Sequence, residues 1–415
     1  MKVLVIGGGG REHAIACKLA ESTMVEKVFC APGNGGTKLE KKCENVGISK
    51  TEELINFALN EGIDFTFVGP EGPLVDGIVD SFKEKGLKIF GPSKKAAELE
   101  GSKIVAKEFM KKYGVKTAEY GVFEDNNAAV DYLKSCSYPV VIKADGLAAG
   151  KGVVICEDFK MAEECIKSFM LEDIFKGAGQ RIVIEEFLEG VEASILSITD
   201  GETIIPFISA KDHKQIYDGG RGPNTGGMGV ITPNPYCTEE VLKSFSEDIL
   251  KPTLRGIQEE EMDYVGIIFF GLMITSKGVY SLEYNVRMGD PETEAVLPLM
   301  KNDFAELILK AIDKDLKNYE VQWKNKCSCC VIAASKGYPE KYETGLNIDG
   351  IENVTNKVFF AGVKEQDGKL KTAGGRVLAV VALGDNMEEA RNKAYEDIRK
   401  IHFDGIYYRS DLGLR

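Results

Sequence analysis

The opening β–α unit limits the fold of this chain more than any other stretch. Lys2-Val3-Leu4-Val5-Ile6 is a short apolar run rich in β-branched residues. It enters Gly7-Gly8-Gly9-Gly10 and then an apolar-periodic segment over 13–20. A buried strand, a glycine turn and a helix in that order form a first β–α unit. Strand-like runs at 27–30, 65–68 and 88–90 alternate with further helical stretches at 52–61 and 74–85. Alternation of this kind predicts a doubly wound parallel sheet over residues 1–100.

The glycine turn is not a dinucleotide fingerprint. That motif needs a third glycine at position 12 or 13, where Glu12 and His13 stand, and no acidic residue closes the next strand, Val28-Phe29-Cys30. An oxidoreductase using NAD is therefore disfavoured. A small phosphate or sugar phosphate at the helix N-terminus fits, because free backbone N–H groups gather there. Arg11 is its natural charge partner, although a solvated loop arginine fits the sequence equally.

Two later segments carry chemistry. Pro139-Val140-Val141-Ile142 ends on Lys143, and glycines follow at 146, 150 and 152. A strand-end lysine presents a compact charge to phosphate, and glycines let backbone N–H groups approach a polyphosphate closely. Only three residues separate Gly146 from Gly150-Lys151, and Gly152 follows, so this is not a Walker A loop. In the second segment the run 278–286 predicts a strand, which places Glu283, Asn285 and Arg287 on one face. A carboxylate beside an amide oxygen suits Mg²⁺, and an adjacent arginine suits a transferred phosphoryl group. The competing reading is an edge strand with a solvated polar face. Together the two segments point to ATP chemistry. A non-catalytic ATP sensor has no need for Glu283, Asn285 and Arg287 together.

Further tracts are Gly-Gly-Arg-Glu-His at 9–13, Ala-Pro-Gly-Asn at 31–34, Gly-Pro-Glu at 69–71, Glu-Gly-Ser-Lys at 100–103, Asp-His-Lys at 212–214 and Gly-Pro-Asn-Thr-Gly-Gly-Met-Gly at 222–229. With these in order along essentially its whole length, the chain resembles the phosphoribosylamine–glycine ligase family, ATP-grasp enzymes of purine biosynthesis. The resemblance implies that ATP phosphorylates the carboxylate of glycine and that 5-phosphoribosylamine then attacks the acyl phosphate. The products are glycinamide ribonucleotide, ADP and phosphate. No enzyme nucleophile is needed, and the sequence offers no Ser-His-Asp or Cys-His set. An ATP-grasp ligase for another carboxylate is the alternative.

The resemblance also implies site roles. Lys103, Lys143, Gly150 and Gly152 would hold the ATP phosphates, and Glu283 and Asn285 would bind Mg²⁺ or Mn²⁺. Arg287 and Asp212 would be catalytic. Glu185, Glu186, Leu188 and Glu192 would form the adenine and ribose side, with an exposed acidic loop as the competing reading for the glutamates and the preferred one for Glu189. Gly9, Arg11, Asn34, Glu71, Asn224, Thr225, Gly227, Asp290 and Glu292 would face the substrates, the individual roles of the last two left open. Residues 218–229 also fit an ordinary surface loop, but loops this long in compact domains are usually functional or disordered. Lys103 is equally the first residue of a helix capped by Ser102 and ending near Gly114.

Composition fits a cytoplasmic metabolic enzyme. The chain has 415 residues, 44% of them hydrophobic, which suffices for several cores. Its 52 basic and 65 acidic residues give −13 with no basic tract, which argues against nucleic acid. Anionic substrates then require lysine and arginine to be concentrated in the cleft. The ten cysteines stand mostly alone in apolar runs, and Cys327-Ser328-Cys329-Cys330 enters a strand, so buried thiols are favoured over disulfides or zinc. No run of about 18 apolar residues predicts a membrane span, and a monomer is expected. The expected division is an α/β domain over 1–100, a mixed α/β block over 101–325, which the resemblance makes an ATP-grasp domain with a lid near 118–190, and a small α+β domain over 326–415. Strands are expected at 266–274 and 279–286 as a hairpin and at 329–334, 357–363 and 376–383, with a helix over 387–401.

Overall fold

In the computed structural model, which describes residues 1–147, 152–172, 174–175 and 177–414, the predicted parallel sheet is present. Strands β1 (Lys2–Gly7), β2 (Lys27–Pro32), β3 (Cys43–Asn45), β4 (Phe65–Val68) and β5 (Ile89–Pro92) pair in parallel in the order β5-β4-β1-β2-β3. Val3 and Val5 enter one core while Leu4 and Ile6 enter another. Strand alternation thus buries both faces, which is why this run is apolar throughout. Helices α1 (Gly10–Ala20) and α2 (Thr51–Glu61) match the periodic stretches. The stretch predicted as one helix over 74–85 is two, α3 (Glu71–Asp76) and α4 (Ile78–Glu84). Gly77, at φ 92°, breaks it by adopting the left-handed conformation that ends α3. α5 (Lys94–Gly101) and α6 (Lys103–Tyr113) follow, with the Ser102 hydroxyl accepting from Val105 N–H at 3.2 Å and Gly114 closing α6.

A separate antiparallel sheet, β6-β9-β7-β8, is built from β6 (Tyr120–Phe123), β7 (Val140–Ala144), β8 (Val153–Cys156) and β9 (Ile182–Glu186). α7 (Asn126–Leu133) and α8 (Phe159–Met170) share its core through Leu133, Ile142, Ile166, Phe169 and Ile184. This sheet has its own hydrophobic centre.

The large sheet then changes character. Among strands β10 (Val191–Thr199), β11 (Ile204–Pro206), β12 (Lys211–Asp212), β13 (Gln215–Tyr217), β14 (Arg221–Asn224), β15 (Gly229–Thr232), β16 (Tyr264–Thr275) and β17 (Gly278–Asn285), it is β16 that pairs antiparallel with β5. β10 and β17 flank β16, giving the expected hairpin. Helices α9 (Glu239–Phe245) and α10 (Lys251–Glu259) contribute Phe245 and Ile257 to the core beneath Phe270 and Tyr284. After α11 (Glu292–Val296) and α12 (Phe304–Ile312) come β18 (Cys327–Ala334), β19 (Lys357–Phe360), β20 (Val363–Gln366), β21 (Lys369–Thr372), β22 (Arg376–Gly384) and α13 (Met387–Ile398). Another antiparallel sheet runs in the order β12-β15-β18-β22-β19, and β20 and β21 form a separate hairpin. The strand expected over 357–363 is interrupted, because the Val363 N–H turns back to the Ala361 carbonyl at 2.9 Å. The helix expected to reach 401 stops at Ile398, whose carbonyl accepts from Ile401 N–H. The cysteines are free thiols, with Cys329 and Cys330 buried. Among the described residues no helix is long and apolar enough to cross a membrane.

Candidate active site

The end of β17 lies against the end of β7, where Lys143 reaches the Leu282 carbonyl. Burial alone would raise the Glu283 carboxyl, but Lys214, Lys143, Lys103 and Arg287 outweigh it and hold the group below the ordinary carboxylate range. An ionised carboxylate is thus set among four cations, whereas Tyr284 and Val286 lie in the core. Asn285 accepts from Arg287 Nη2 at 2.9 Å. The solvated-edge reading of this strand does not survive this geometry.

The cations come from three directions. Lys103 donates to the Gly146 carbonyl at 2.9 Å, and burial lowers its pKa. Lys143 donates to the Leu282 carbonyl at 3.2 Å and pairs with Glu185 Oε1 at 2.8 Å. Lys214, from the loop after β12, pairs with Glu192 at 2.9 Å, a contact that holds its pKa up. Glu185 is buried against lysines, while Glu186 is exposed and accepts from Glu119 N–H at 3.0 Å. Leu188 is half-buried, Glu189 is exposed, and Gly152 is buried just before β8. Gly150 lies outside the described residues.

At the N-terminal turn, Glu12 reaches back to accept from Gly9 N–H at 2.6 Å and also pairs with Arg11. A Cβ on Gly69 would stand 2.2 Å from Glu12 Oε1, so this packing requires glycine there. Arg11 is buried and donates to the Met288 carbonyl at 3.2 Å, which excludes a solvated arginine. Glu71 joins Arg11 at 3.9 Å to Arg287 at 3.3 Å. Asn34 ties the turn together. Its amide donates to the carbonyls of Gly8 at 3.0 Å and Phe360 at 2.6 Å, and its oxygen accepts from Gly36 and Thr37 N–H. His13, Cys17 and Glu40 place ligand atoms within 4.8 Å of one another, but Phe360 N–H donates to His13 Nδ1 at 2.9 Å. The proton of neutral His13 is then on Nε2, so no lone pair is left there for a metal.

On the third side, Thr225 Oγ1 donates to the Lys214 carbonyl at 2.7 Å and accepts from Gly227 N–H at 3.0 Å, closing the loop. Gly227, at φ 114°, is required because a Cβ would stand 2.7 Å from Asp212 Oδ1. Asn224 is exposed beside it. Burial and the nearby Glu292 push the Asp212 carboxyl up. Glu292 accepts from Ser194 at 3.0 Å, and Asp290 pairs with Arg376 at 2.8 Å.

Sequence reasoning missed several residues here. Asp145 binds the start of α6 by accepting from Ser102 Oγ at 2.8 Å and Ile104 N–H at 3.2 Å, and it pairs with Arg181 at 2.6 Å. Glu100 pairs with Arg287, and Lys107 with Glu185. Lys107 left a signal, since it stands three residues from both Ile104 and Met110 on the buried stripe of α6.

Models of phosphoribosylglycinamide synthetase match the chain in three parts: the N domain at residues 1–100, the ATP-grasp (A) domain at 101–293 and the C domain at 328–415. The phosphoribosylamine–glycine ligase of Clostridium acetobutylicum is 67% identical over 413 residues, covering 100% of this chain and 99% of that protein. The chain belongs to the phosphoribosylglycinamide synthetase family. The Fusobacterium nucleatum member is 56% identical, covering 100% of this chain and 98% of its own. The crystal structure of the Thermotoga maritima phosphoribosylamine–glycine ligase superposes with a TM-score of 0.87 at 37% identity, covering 99% of this chain and 100% of that one. A phosphoribosylglycinamide synthetase has the ATP-grasp fold and uses ATP with a divalent metal ion. The oxygen donors of ionised Glu283 and of Asn285 fit such a hard cation.

Proposed function

We propose that the chain is an ATP-dependent ligase that joins glycine to 5-phosphoribosylamine, giving glycinamide ribonucleotide, ADP and phosphate. The observation that carries this reading is the ionised Glu283 carboxylate among Lys103, Lys143, Lys214 and Arg287, in a chain similar to named phosphoribosylamine–glycine ligases along their whole length.

Lys103 and Lys143 bind the ATP phosphates with the glycines up to Gly152, and the segment Glu186 to Leu188 with Glu192 borders the base and ribose. Glu283 and Asn285 would hold Mg²⁺ or Mn²⁺, which would supply charge neutralisation for the phosphates. A glycine carboxylate oxygen attacks the γ-phosphorus, and the bond to the ADP oxygen breaks. Arg287 stabilises the charge spreading over the transferred group. The phosphoribosylamine nitrogen then attacks the acyl carbon, phosphate leaves, and the nitrogen loses a proton. Asp212, whose carboxyl burial and Glu292 push up, takes it as general base. The turn of Gly9, Arg11 and Asn34 with Glu71 positions the sugar phosphate, and Asn224, Thr225, Gly227, Asp290 and Glu292 line the glycine side. The three units are 1–100, 101–325 with its lid near 118–190, and 326–415.

The test is ADP release measured with glycine, phosphoribosylamine or both. Sustained release is expected only with both substrates. Equal release with another amino acid in place of glycine would move the chain to a different carboxylate.

A further inference from the structure

Glu185 holds two ammonium groups at once inside the protein. Lys143 Nζ at the end of β7 is 2.8 Å from Oε1, and Lys107 Nζ from the middle of α6 is 3.0 Å from Oε2. The three side chains are 7%, 3% and 2% exposed in the order Lys143, Lys107, Glu185, so water screens none of these charges well. The two lysines are not held alike. Lys107 is anchored, donating to Thr117 Oγ1 at 2.7 Å and lying 5.7 Å over the Tyr120 ring. Away from Glu185, Lys143 has the weaker hold: its aligned hydrogen bond, to the Leu282 carbonyl, is longer at 3.2 Å, and Glu185 Oε1 has no aligned hydrogen-bond donor among the described residues.

We propose that Lys107 is a positioning residue: it balances the buried Glu185 carboxylate so that Lys143 is free to leave it for the nucleotide phosphates. The proposal rests on the reading of Lys143 as a phosphate ligand. With Lys107 in place, moving Lys143 leaves a neutral Lys107–Glu185 pair behind. Without Lys107, the same movement strands a buried carboxylate, which is strongly unfavourable. Lys143 then stays on Glu185, and the nucleotide loses a contact although every residue that touches it is intact. A lysine with a purely structural role has no such link to ATP.

Lys107→Met is expected to raise KM for ATP, and Kd for a non-hydrolysable ATP analogue, by ~10-fold or more, with kcat at saturating ATP changed less than about threefold. Lys107→Arg, which keeps the charge, is expected to recover most of the loss. The decisive comparison is made in a Glu185→Gln background, where no carboxylate remains to trap Lys143. There, adding Lys107→Met should change KM for ATP by less than about twofold. This pair keeps the test open even if Lys107→Met alone does not fold. Lys143→Ala is the reference. If it leaves the ATP dependence unaltered, the phosphate role of Lys143 falls and this proposal with it. If Lys143→Ala raises KM but Lys107→Met does not, or if Lys107→Met costs as much in the Glu185→Gln background as in the wild type, the balancing role alone is overturned.

Discussion

Arg287 and Glu100 form an ion pair of 2.9 Å, Nη2 to Oε1, at the point where β17 enters the cleft. Glu100 also accepts from Val286 N–H at 2.7 Å, so the pair fixes both the backbone and the arginine beside Asn285 and Glu283. Truncating Arg287 therefore has two consequences that can be separated. Arg287→Met should destabilise the fold by about 3–5 kcal/mol, because it leaves the buried Glu100 uncompensated. Adding Glu100→Gln should recover most of that stability in a thermal melt. Turnover should stay down by about 10²–10³ in both variants, since the charge on the transferred phosphoryl group is no longer met. Recovery of activity together with stability would make Arg287 a structural residue only.

Glu283→Gln keeps size and removes the charge that four cations hold ionised. Activity at saturating Mg²⁺ should fall by roughly 10²-fold or more while the melting temperature changes little. Near-normal activity would remove Glu283 from the metal site.

The common face of Glu283, Asn285 and Arg287 was legible because alternation along a strand fixes which side chains lie together, whatever the rest of the fold does, and Lys143 was legible as the last residue of an apolar run. Lys107, Glu100 and Arg376 were not, since their charges are explained only by Glu185, Arg287 and Asp290, which lie far along the chain. Glu185 illustrates the limit well. It lies on β9, but the direction of its side chain depends on Lys107 of α6, and no local pattern reports that. The break at Gly77 was similarly hidden, because the apolar periodicity runs through it.

Asn34→Ala should loosen the N-terminal turn and its tie to β19 together, because one amide serves Gly8, Phe360, Gly36 and Thr37. A loss of roughly 2–4 kcal/mol is expected from the stranded backbone groups. KM for phosphoribosylamine should rise more than KM for ATP. Equal effects on both would leave Asn34 with no particular relation to the sugar phosphate.

Acid should destabilise the protein partly through His213. Burial lowers its pKa from 6.5 to about 4, and its Nδ1 lies 3.1 Å from the Gly229 carbonyl. Between those two values the unfolded chain binds a proton that the folded chain does not, so stability falls as pH drops from 6.5 towards 4. The contribution is at most about 3 kcal/mol by linkage. Urea unfolding of wild type and His213→Gln across this window should show a shallower loss in the variant. Parallel curves would place the acid sensitivity elsewhere.

The central claim is transfer of the terminal phosphoryl group of ATP to the glycine carboxylate, and the fate of oxygen tests it most directly. Glycine carrying ¹⁸O in both carboxylate oxygens is supplied with ATP and phosphoribosylamine, and the products are resolved by mass. One labelled oxygen should leave in inorganic phosphate and the other should remain in the amide of glycinamide ribonucleotide, with one ADP formed for each labelled phosphate. Unlabelled phosphate, or label in AMP, would contradict the account even if glycinamide ribonucleotide were made.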